Sequence, residues 1–210
     1  MKHTITSLLL LLSSLIAYGQ TTTATQQLSE SEKRVIEKET KRLGDQLCDY
    51  IIKVGTTRGQ RGAVSDREKN DIIYNRVPGL FYNYDERKML TTYARGTRTR
   101  SQSMSSYFRN LKGQSLGGLN TARSYEVHCS GFVVNKGLKG YRFVKNLPDG
   151  CELYEATIRI TQYYHVIRQT NEGWVKETEK TIKDITTYAI KKPNGRTGVF
   201  LGDVTRAINE

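Results

Sequence analysis

The stretch Gly150–Arg168, GCELYEATIRITQYYHVIR, decides the fold of this chain. Its even-numbered positions from Tyr154 to Val166 are mostly apolar, and its odd-numbered positions are mostly polar. Alternation with a period of two predicts a β-strand that buries one face, and β-branched and aromatic side chains suit such a surface. We therefore expect this strand at the centre of a curved antiparallel sheet, with Tyr154, Ile158 and Ile160 packed on the N-terminal helix.

The period of two extends from about Asn120 to the end of the chain. Over Ala122–Asn135 the alternation slips by one at Ser130-Gly131, which predicts a bulge. Turn-forming residues separate the segments that follow. These segments are a turn over 136–140, a short strand over 141–144, the central strand, a strand over 174–191, and a final strand over 199–208 with a bulge at Gly202.

The N-terminal half has helical periodicity instead. Ser29 and Glu32 form a capping-box pattern, and apolar residues spaced mostly three, four and seven apart predict an amphipathic helix over 31–54. The capping pattern recurs at Ser65 and Glu68 and predicts a second, shorter helix.

A short strand and a third helix complete this half. The strand is predicted over 88–95, and the helix is predicted to begin at Ser101–Ser103. Its apolar residues follow on one side at helical spacings: Met104, Tyr107, Phe108 and Leu111.

Three helices followed by an antiparallel meander predict an α+β fold. This order resembles the nuclear transport factor 2-like superfamily, a cone-shaped α+β roll also called cystatin-like or SnoaL-like. The segments that carry the resemblance are the helices over 31–54 and 103–111, the strand over 125–134, and the final strands over 180–191 and 198–207. The resemblance implies three N-terminal helices packed on a curved, mainly antiparallel sheet, with a cone mouth that often holds a pocket. It also implies dimerisation through the open sheet face in many members.

The N-terminus predicts a targeting segment. Lys2 precedes an apolar run over 8–17 that is too short to span a bilayer, and the small residues Ala17 and Gly19 suit cleavage of a signal peptide. We expect residues 1–19 to be a signal peptide, 20–28 a disordered lead-in, and 29–210 one domain. The sequence thus predicts an exported bacterial protein, periplasmic or secreted.

The formal net charge of +12 is unevenly distributed. The 87–123 segment is basic without an acidic residue, and a second acid-free group contains Lys136, Lys139, Arg142 and Lys145. Such segments suit an acidic glycan or an anionic membrane surface, although a solvated basic face accounts for them more simply. Export and the absence of a recognised reading motif argue against nucleic acid. The candidate polyanion-binding residues are Arg95, Arg98, Arg100, Arg109 and Lys112.

The three cysteines leave at least one thiol unpaired. Cys48 falls on the apolar side of the first helix, whereas Cys129 and Cys151 fall on predicted strands that could place them in disulfide range. The chain has no CxxC or HxxxH motif, so we expect no metal site and no cofactor.

The resemblance extends to ketosteroid isomerases and scytalone dehydratases, which implies an acid or histidine beside tyrosines in the cone. A carboxylate in an apolar cavity has a raised pKa and can move a proton. Asp184 shares the phase of Ile182 and Tyr188, which predicts that it points inward, although an ion pair or tyrosine contact accounts for such an acid more simply. His128 and His165 are predicted to face outward or to pair within the sheet. The pocket candidates are Asp184, Tyr93, Tyr107, Tyr154 and Tyr188.

No nucleophile–base pair or glycosidase-like carboxylate pair is evident by spacing. The sequence therefore favours a non-enzymatic, exported domain that binds a ligand or protein through its cone mouth or sheet, with a homodimer through the sheet as one form. Two alternatives remain: an isomerase- or dehydratase-type enzyme that uses the cone, and a polyanion-binding protein that uses the 87–123 segment. A hollow cone would favour the enzyme, and a filled cone would argue against it.

Overall fold

The computed structural model describes residues 27–92, 99–115, 125–129 and 133–206. The predicted signal peptide, most of the lead-in and the predicted bulge at 130–131 lie outside these ranges. Within them the chain forms three helices and seven strands, which is the α+β class that the sequence predicts. No helix of the described ranges is long and apolar enough to cross a bilayer.

Helix α1 spans Glu30–Gly55, as the 31–54 pattern predicts. The Ser29 hydroxyl accepts a hydrogen bond from the Glu32 amide at 3.2 Å, and Glu32 Oε2 accepts one from the Ser29 amide at 2.7 Å. This completes the predicted capping box. Leu28 lies in the predicted lead-in but is buried, so the ordered domain begins before the cap. The buried residues of α1 include Ile36, Leu43, Leu47, Ile51 and Val54.

The predicted second helix is also confirmed. Helix α2, Asp66–Asp71, begins at Ser65, whose hydroxyl accepts from the Glu68 amide at 3.2 Å. The chain continues as a wider helical turn over Ile72–Arg76 and then a tight turn over Pro78–Leu80.

A buried lysine of α2 forms a hydrogen bond with the loop between α1 and α2. Lys69 is fully buried, and its Nζ donates to the carbonyl oxygen of Thr56, the residue after α1. Removal of the ammonium group from water lowers the pKa of Lys69. A cation at this position also interacts favourably with the C-terminal end of the α1 dipole.

The third helix begins later than predicted because Ser103 caps it. Helix α3 spans Met104–Ser115, and the Ser103 hydroxyl accepts from the Ser106 amide at 3.2 Å. Residues 101–103 belong instead to strand β2, Thr99–Ser103, which pairs antiparallel with β1, Lys88–Thr92.

The seven strands form one curved, mixed sheet. The spatial order is β2-β1-β7-β6-β5, and both β3 and β4 pair with the far side of β5. All pairs are antiparallel except β1–β7, which is parallel. The strands after β2 span Tyr125–Cys129 (β3), Val133–Asn146 (β4), Glu152–Thr170 (β5), Gly173–Lys191 (β6) and Thr197–Arg206 (β7).

Strands β5 and β6 form an uninterrupted hairpin. Their register runs from Glu152 opposite Lys191 to Thr170 opposite Gly173 without a shift. The predicted central strand is therefore confirmed, and it has a neighbour on both sides.

Strand β4 differs from its prediction. The 136–140 segment, predicted as a turn, lies within a strand over Val133–Asn146, because single-residue shifts in its register with β5 absorb the local irregularity. The glycines at 137 and 140 indicate bends in this strand rather than its end.

The sheet has an inner and an outer face. The inner face carries Ile158, Ile160 and Ile185, all completely buried, in one core with α1, α3, the helical turn after α2 and Leu201 of β7. Ile158 pairs with Ile185 in register, and paired residues of antiparallel strands share a face. The outer face is the opposite one and carries Arg159, which pairs with Asp184.

Candidate functional site

Asp184 forms an ion pair on the outer face and does not point inward as predicted. Its two carboxylate oxygens accept from Arg159 Nε at 2.8 Å and Nη2 at 2.9 Å. The inward phase of β6 is that of Ile185, Thr187 and Ala189, all of which are buried. Asp184 is therefore a carboxylate paired with an arginine, which is the simpler of the two interpretations, and not an inward-facing acid that could move a proton.

Tyr188 belongs to a second outer-face cluster. Its ring lies 4.8 Å from that of Tyr82, centroid to centroid, and its hydroxyl accepts from Arg87 Nη1 at 3.1 Å. The Arg87 guanidinium lies 5.3 Å from the centroid of the Tyr188 ring and is within 3.9 Å of Asp203. Asp203 Oδ1 also accepts from the Lys88 amide at 2.7 Å. These contacts join the start of β1 to β7, so this cluster has a structural role.

The remaining pocket candidates do not converge with Asp184. Tyr154 is buried on the inner face beside Ile36, and its hydroxyl donates to Glu152 Oε2 at 2.7 Å. Burial and this hydrogen bond raise the pKa of Tyr154 well above its usual value. Tyr107 packs against the core with its ring 5.3 Å from that of Phe108. Tyr93 lies outside the described residues.

The inner face is packed with apolar side chains at the positions where a cone pocket was considered. Met104 and Phe108 of α3 are completely buried in the same core as Ile158 and Ile160. Thr187 Oγ1 is a buried atom without a hydrogen-bond partner among the described residues. One unpartnered hydroxyl beside Ala156 and Leu201, its neighbours in register, does not make a proton-transfer site.

The 87–123 basic segment does not form a uniform basic surface where it is described. Arg87 is buried, and Lys112 Nζ donates to Asn70 Oδ1 at 2.7 Å. Arg109 is exposed on α3. Arg95 and Arg98 lie outside the described residues, and Arg100 is described only by its backbone position in β2, opposite Thr91.

Cys129 and Cys151, which the sequence allowed to form a disulfide, are not placed to do so. Cys151 is a free, buried thiol just before β5, whereas Cys129 pairs with Tyr164. Thirteen positions of an extended strand separate Cys151 from Tyr164, which corresponds to about 40 Å. Cys48 is also buried, as its place on the apolar side of α1 predicts.

Sequence reasoning missed an apolar strip on the outer face. Trp174 and Ile182 of β6 share the face of Asp184 because all three are even-numbered positions of one regular strand. Tyr163 of β5 lies on this face opposite Lys180, whose Nζ is 5.9 Å from the centroid of its ring. The three apolar residues are 52%, 43% and 37% exposed in that order, and we call them the outer strip. The single tryptophan beside the 170–173 turn was a usable signal, because it shares the even-numbered phase of Ile182 on this strand.

Sequence reasoning also missed a basic row on β4. It consists of Lys139, Arg142 and Lys145, which pair with Thr157, Glu155 and Leu153 of β5. The second acid-free group contained these residues, but the turn predicted over 136–140 hid their alignment.

No protein-family model and no curated protein matches this chain. The solved structure of a nuclear transport factor 2-like superfamily protein from Salmonella enterica serovar Typhimurium is similar to it over 84% of this chain and 95% of its own. The two share 15% sequence identity, with a TM-score of 0.39.

Proposed function

We propose that this protein is a non-enzymatic binding domain that engages a protein partner through the outer face of its sheet. The contrast between the two faces carries the proposal. The inner face is filled by buried residues of α1, α3, the turns after α2 and the strands, whereas the outer strip leaves Trp174, Ile182 and Tyr163 open to solvent.

The shape of the strip favours a protein over a small ligand. Its residues lie along two adjacent strands of a regular hairpin, whereas small-molecule sites are concave and enclose their ligand. Protein interfaces place aromatic and apolar groups at the centre and polar groups around them. Lys176 and Lys180 are exposed on the same face of β6 between Trp174 and Ile182, so polar groups lie beside the apolar ones on this surface.

The isomerase or dehydratase alternative has less support. Proton abstraction requires a base with a raised pKa close to the reacting carbon, but both oxygens of Asp184 accept hydrogen bonds from Arg159. A two-point pair of this kind engages both carboxylate oxygens and holds the side chain in a fixed orientation on the outer face.

Site-specific photocrosslinking tests the docking surface. We expect a photoreactive phenylalanine analogue in place of Ile182 to give a discrete protein adduct. The matched control is the same analogue in place of Tyr74, which is 62% exposed and lies in the helical turn after α2. Binding of the purified partner should then be lost in the Tyr163→Ser/Ile182→Ser variant and retained in Tyr74→Ser.

Equal adducts from both positions would rule out the outer face as the docking surface. An adduct between two copies of the chain would identify the partner as a second copy, which is the homodimer expected from the sequence.

We further propose that the domain acts after export. The supporting feature is the 1–19 segment, with a basic start, a short apolar run and small residues before Gln20. Mass spectrometry of the chain purified from its source should find a mature N-terminus at Gln20, and an intact Met1 would contradict the proposal.

A further inference from the structure

Basic residues recur every third position along β4. The sequence from Lys136 reads KGL, KGY, RFV and then Lys145, so each triplet begins with a cation. In a regular strand, residues three apart point to opposite faces. The triplets alone would therefore scatter these charges over both faces of the sheet.

The register of β4 brings the charges onto one face. Lys139, Arg142 and Lys145 are separated by three residues each, but their partners on β5 are separated by only two. Each triplet thus contains one extra residue, a bulge that resets the alternation. Gly140 has φ of +66°, a conformation that a bulge uses and that glycine adopts without strain.

The partners identify the face. Thr157 and Glu155 lie on the outer face, since they share the odd-numbered phase of Arg159 on β5. The basic row therefore lies on the outer face at the edge of the sheet, where β4 has β5 as its partner among the described strands. Tyr141 and Phe143, which lie between the cations in the sequence, belong to the opposite face. Tyr141 Oη donates to the carbonyl of Lys33, and the Phe143 ring, which is 37% exposed, packs edge-on against that of Tyr154.

The row is regularly spaced and largely uncompensated. Two residues of β5 correspond to about 6.6 Å, so successive cations are displayed at about that interval. Arg142 Nη2 lies 3.1 Å from Glu155 Oε1, yet the Arg142 side chain remains 68% exposed. The register partners of Lys139 and Lys145 are the uncharged Thr157 and Leu153.

We infer that the basic row binds an extended peptide segment with Asp or Glu at alternate positions. An extended chain repeats every two residues at about 6.4–6.8 Å, so its alternate carboxylates match the spacing of the cations. The bulges interrupt the edge of β4, so a peptide cannot add as a regular strand. Ion pairs would supply most of the affinity, which makes binding sensitive to salt.

The surroundings of the row favour this occupant over two others. Proteins that bind single-stranded nucleic acid stack its bases on aromatic rings, but the rings of Tyr141 and Phe143 lie on the face opposite to the row, where they contact Lys33 and Tyr154. A second copy that docked its own β4 here would oppose like charges. The inference is separate from the outer strip, whose residues lie between the middle of the β5–β6 hairpin and its turn.

NMR titration of the isotope-labelled protein at low salt tests the inference. The probe is a synthetic peptide in which glutamate and threonine alternate. Its control is a block peptide of the same length and composition, in which all the glutamates precede all the threonines. We expect the alternating peptide to shift the amides of 138–146 and to bind several-fold more tightly than the block peptide.

Charge-removing variants locate the binding on the row. Affinity for the alternating peptide should fall about tenfold or more in Lys139→Gln/Arg142→Gln/Lys145→Gln, the loss of several surface ion pairs. It should be unchanged in the matched variant Lys38→Gln/Lys41→Gln/Arg67→Gln, which removes three exposed cations from the helices α1 and α2.

Two outcomes would overturn the inference. Equal affinity for the two peptides, or for the two triple variants, would reduce the row to a non-specific basic surface. Binding of oligothymidylate or heparin to the row without binding of the alternating peptide would assign it to a nucleic acid or a glycan. The unchanged spectrum of the β5–β6 core in each variant establishes that the fold is intact.

Discussion

A glycine is required at position 202 because the side chains of Tyr188 and Thr186 occupy the space that a Cβ atom would need. A Cβ atom at this position would lie 2.7 Å from Tyr188 Cε2 and 2.9 Å from Thr186 Cβ. Gly202 and Asp203 together face the single residue Thr186, so the predicted bulge in β7 is confirmed. The bulge also directs Asp203 toward Arg87 and the Lys88 amide.

The Gly202→Ala variant should therefore be destabilised by about 2 kcal/mol, the usual cost of overpacking a core. The matched control is Gly113→Ala in α3, where no atom lies within 4 Å of the added Cβ. Alanine there should raise the free energy of unfolding by about 0.5–1 kcal/mol, since it favours the helix. Denaturant unfolding measures both, and a Gly202→Ala variant as stable as the parent would contradict the packing argument.

For Asp184, the sequence correctly indicated the type of partner but gave the wrong orientation of the side chain. The arginine partner considered for it is present as Arg159. Its inward orientation was inferred from Ile182 and Tyr188, two apolar residues in the same phase. Both lie on the outer face, because apolar residues that form an exposed strip have the same periodicity as residues that form a core. Periodicity identifies the two faces of a strand, and packing partners decide which face is buried.

At the scale of elements, an ion pair links the start of α1 to the end of β6. Lys191 Nζ lies 2.8 Å from Glu32 Oε1. The hydrogen bond from Lys191, followed by those from Ser29, lowers the pKa of Glu32 from 4.5 to about 2. The folded state therefore favours the ionised carboxylate. The stabilisation is complete above the unfolded pKa of 4.5 and is lost as the pH falls from there toward 2.

The Lys191→Met variant should lose about 0.5–1 kcal/mol at neutral pH, the scale of a partly exposed pair. Its stability should also decline less steeply than that of the parent between pH 4.5 and 2. The control is Lys53→Met, because Lys53 pairs with Asp49 within α1 alone. Urea unfolding across this pH range measures the slopes, and parallel curves for parent and Lys191→Met would contradict the assignment.

Elements with strong local signals were predictable, and irregular ones were not. Capping boxes and apolar stripes located α1 and α2, and regular alternation located β5 and β6. Strand β2 was missed because Thr99–Ser103 contains no apolar residue to alternate. Residues 136–140 of strand β4 were predicted as a turn because its bulges change the sequence period from two to three. Both strands are defined by pairing with a neighbour, which local sequence does not encode.

At the scale of the whole molecule, the layers are joined by contacts between distant parts of the chain. The main core combines α1, α3 and the turns after α2 with residues of β5, β6 and β7. The order of elements was sufficient to predict this α+β architecture. The candidate surfaces were not predictable to the same degree, because the outer strip and the basic row depend on the relative register of strands. Register is a property of the assembled sheet.

The position of α1 at one end of the chain and of β7 at the other has a consequence for biosynthesis. Leu47 and Val54 of α1 pack in the same core as Leu201 and Val204 of β7. About 150 residues separate the end of α1 from the end of β7, and at about 5–20 residues per second a ribosome needs roughly 8–30 s to add them. During that interval the apolar side of α1 is not yet covered by β7. Factors that bind exposed apolar segments therefore have time to reach this chain before it can close its core.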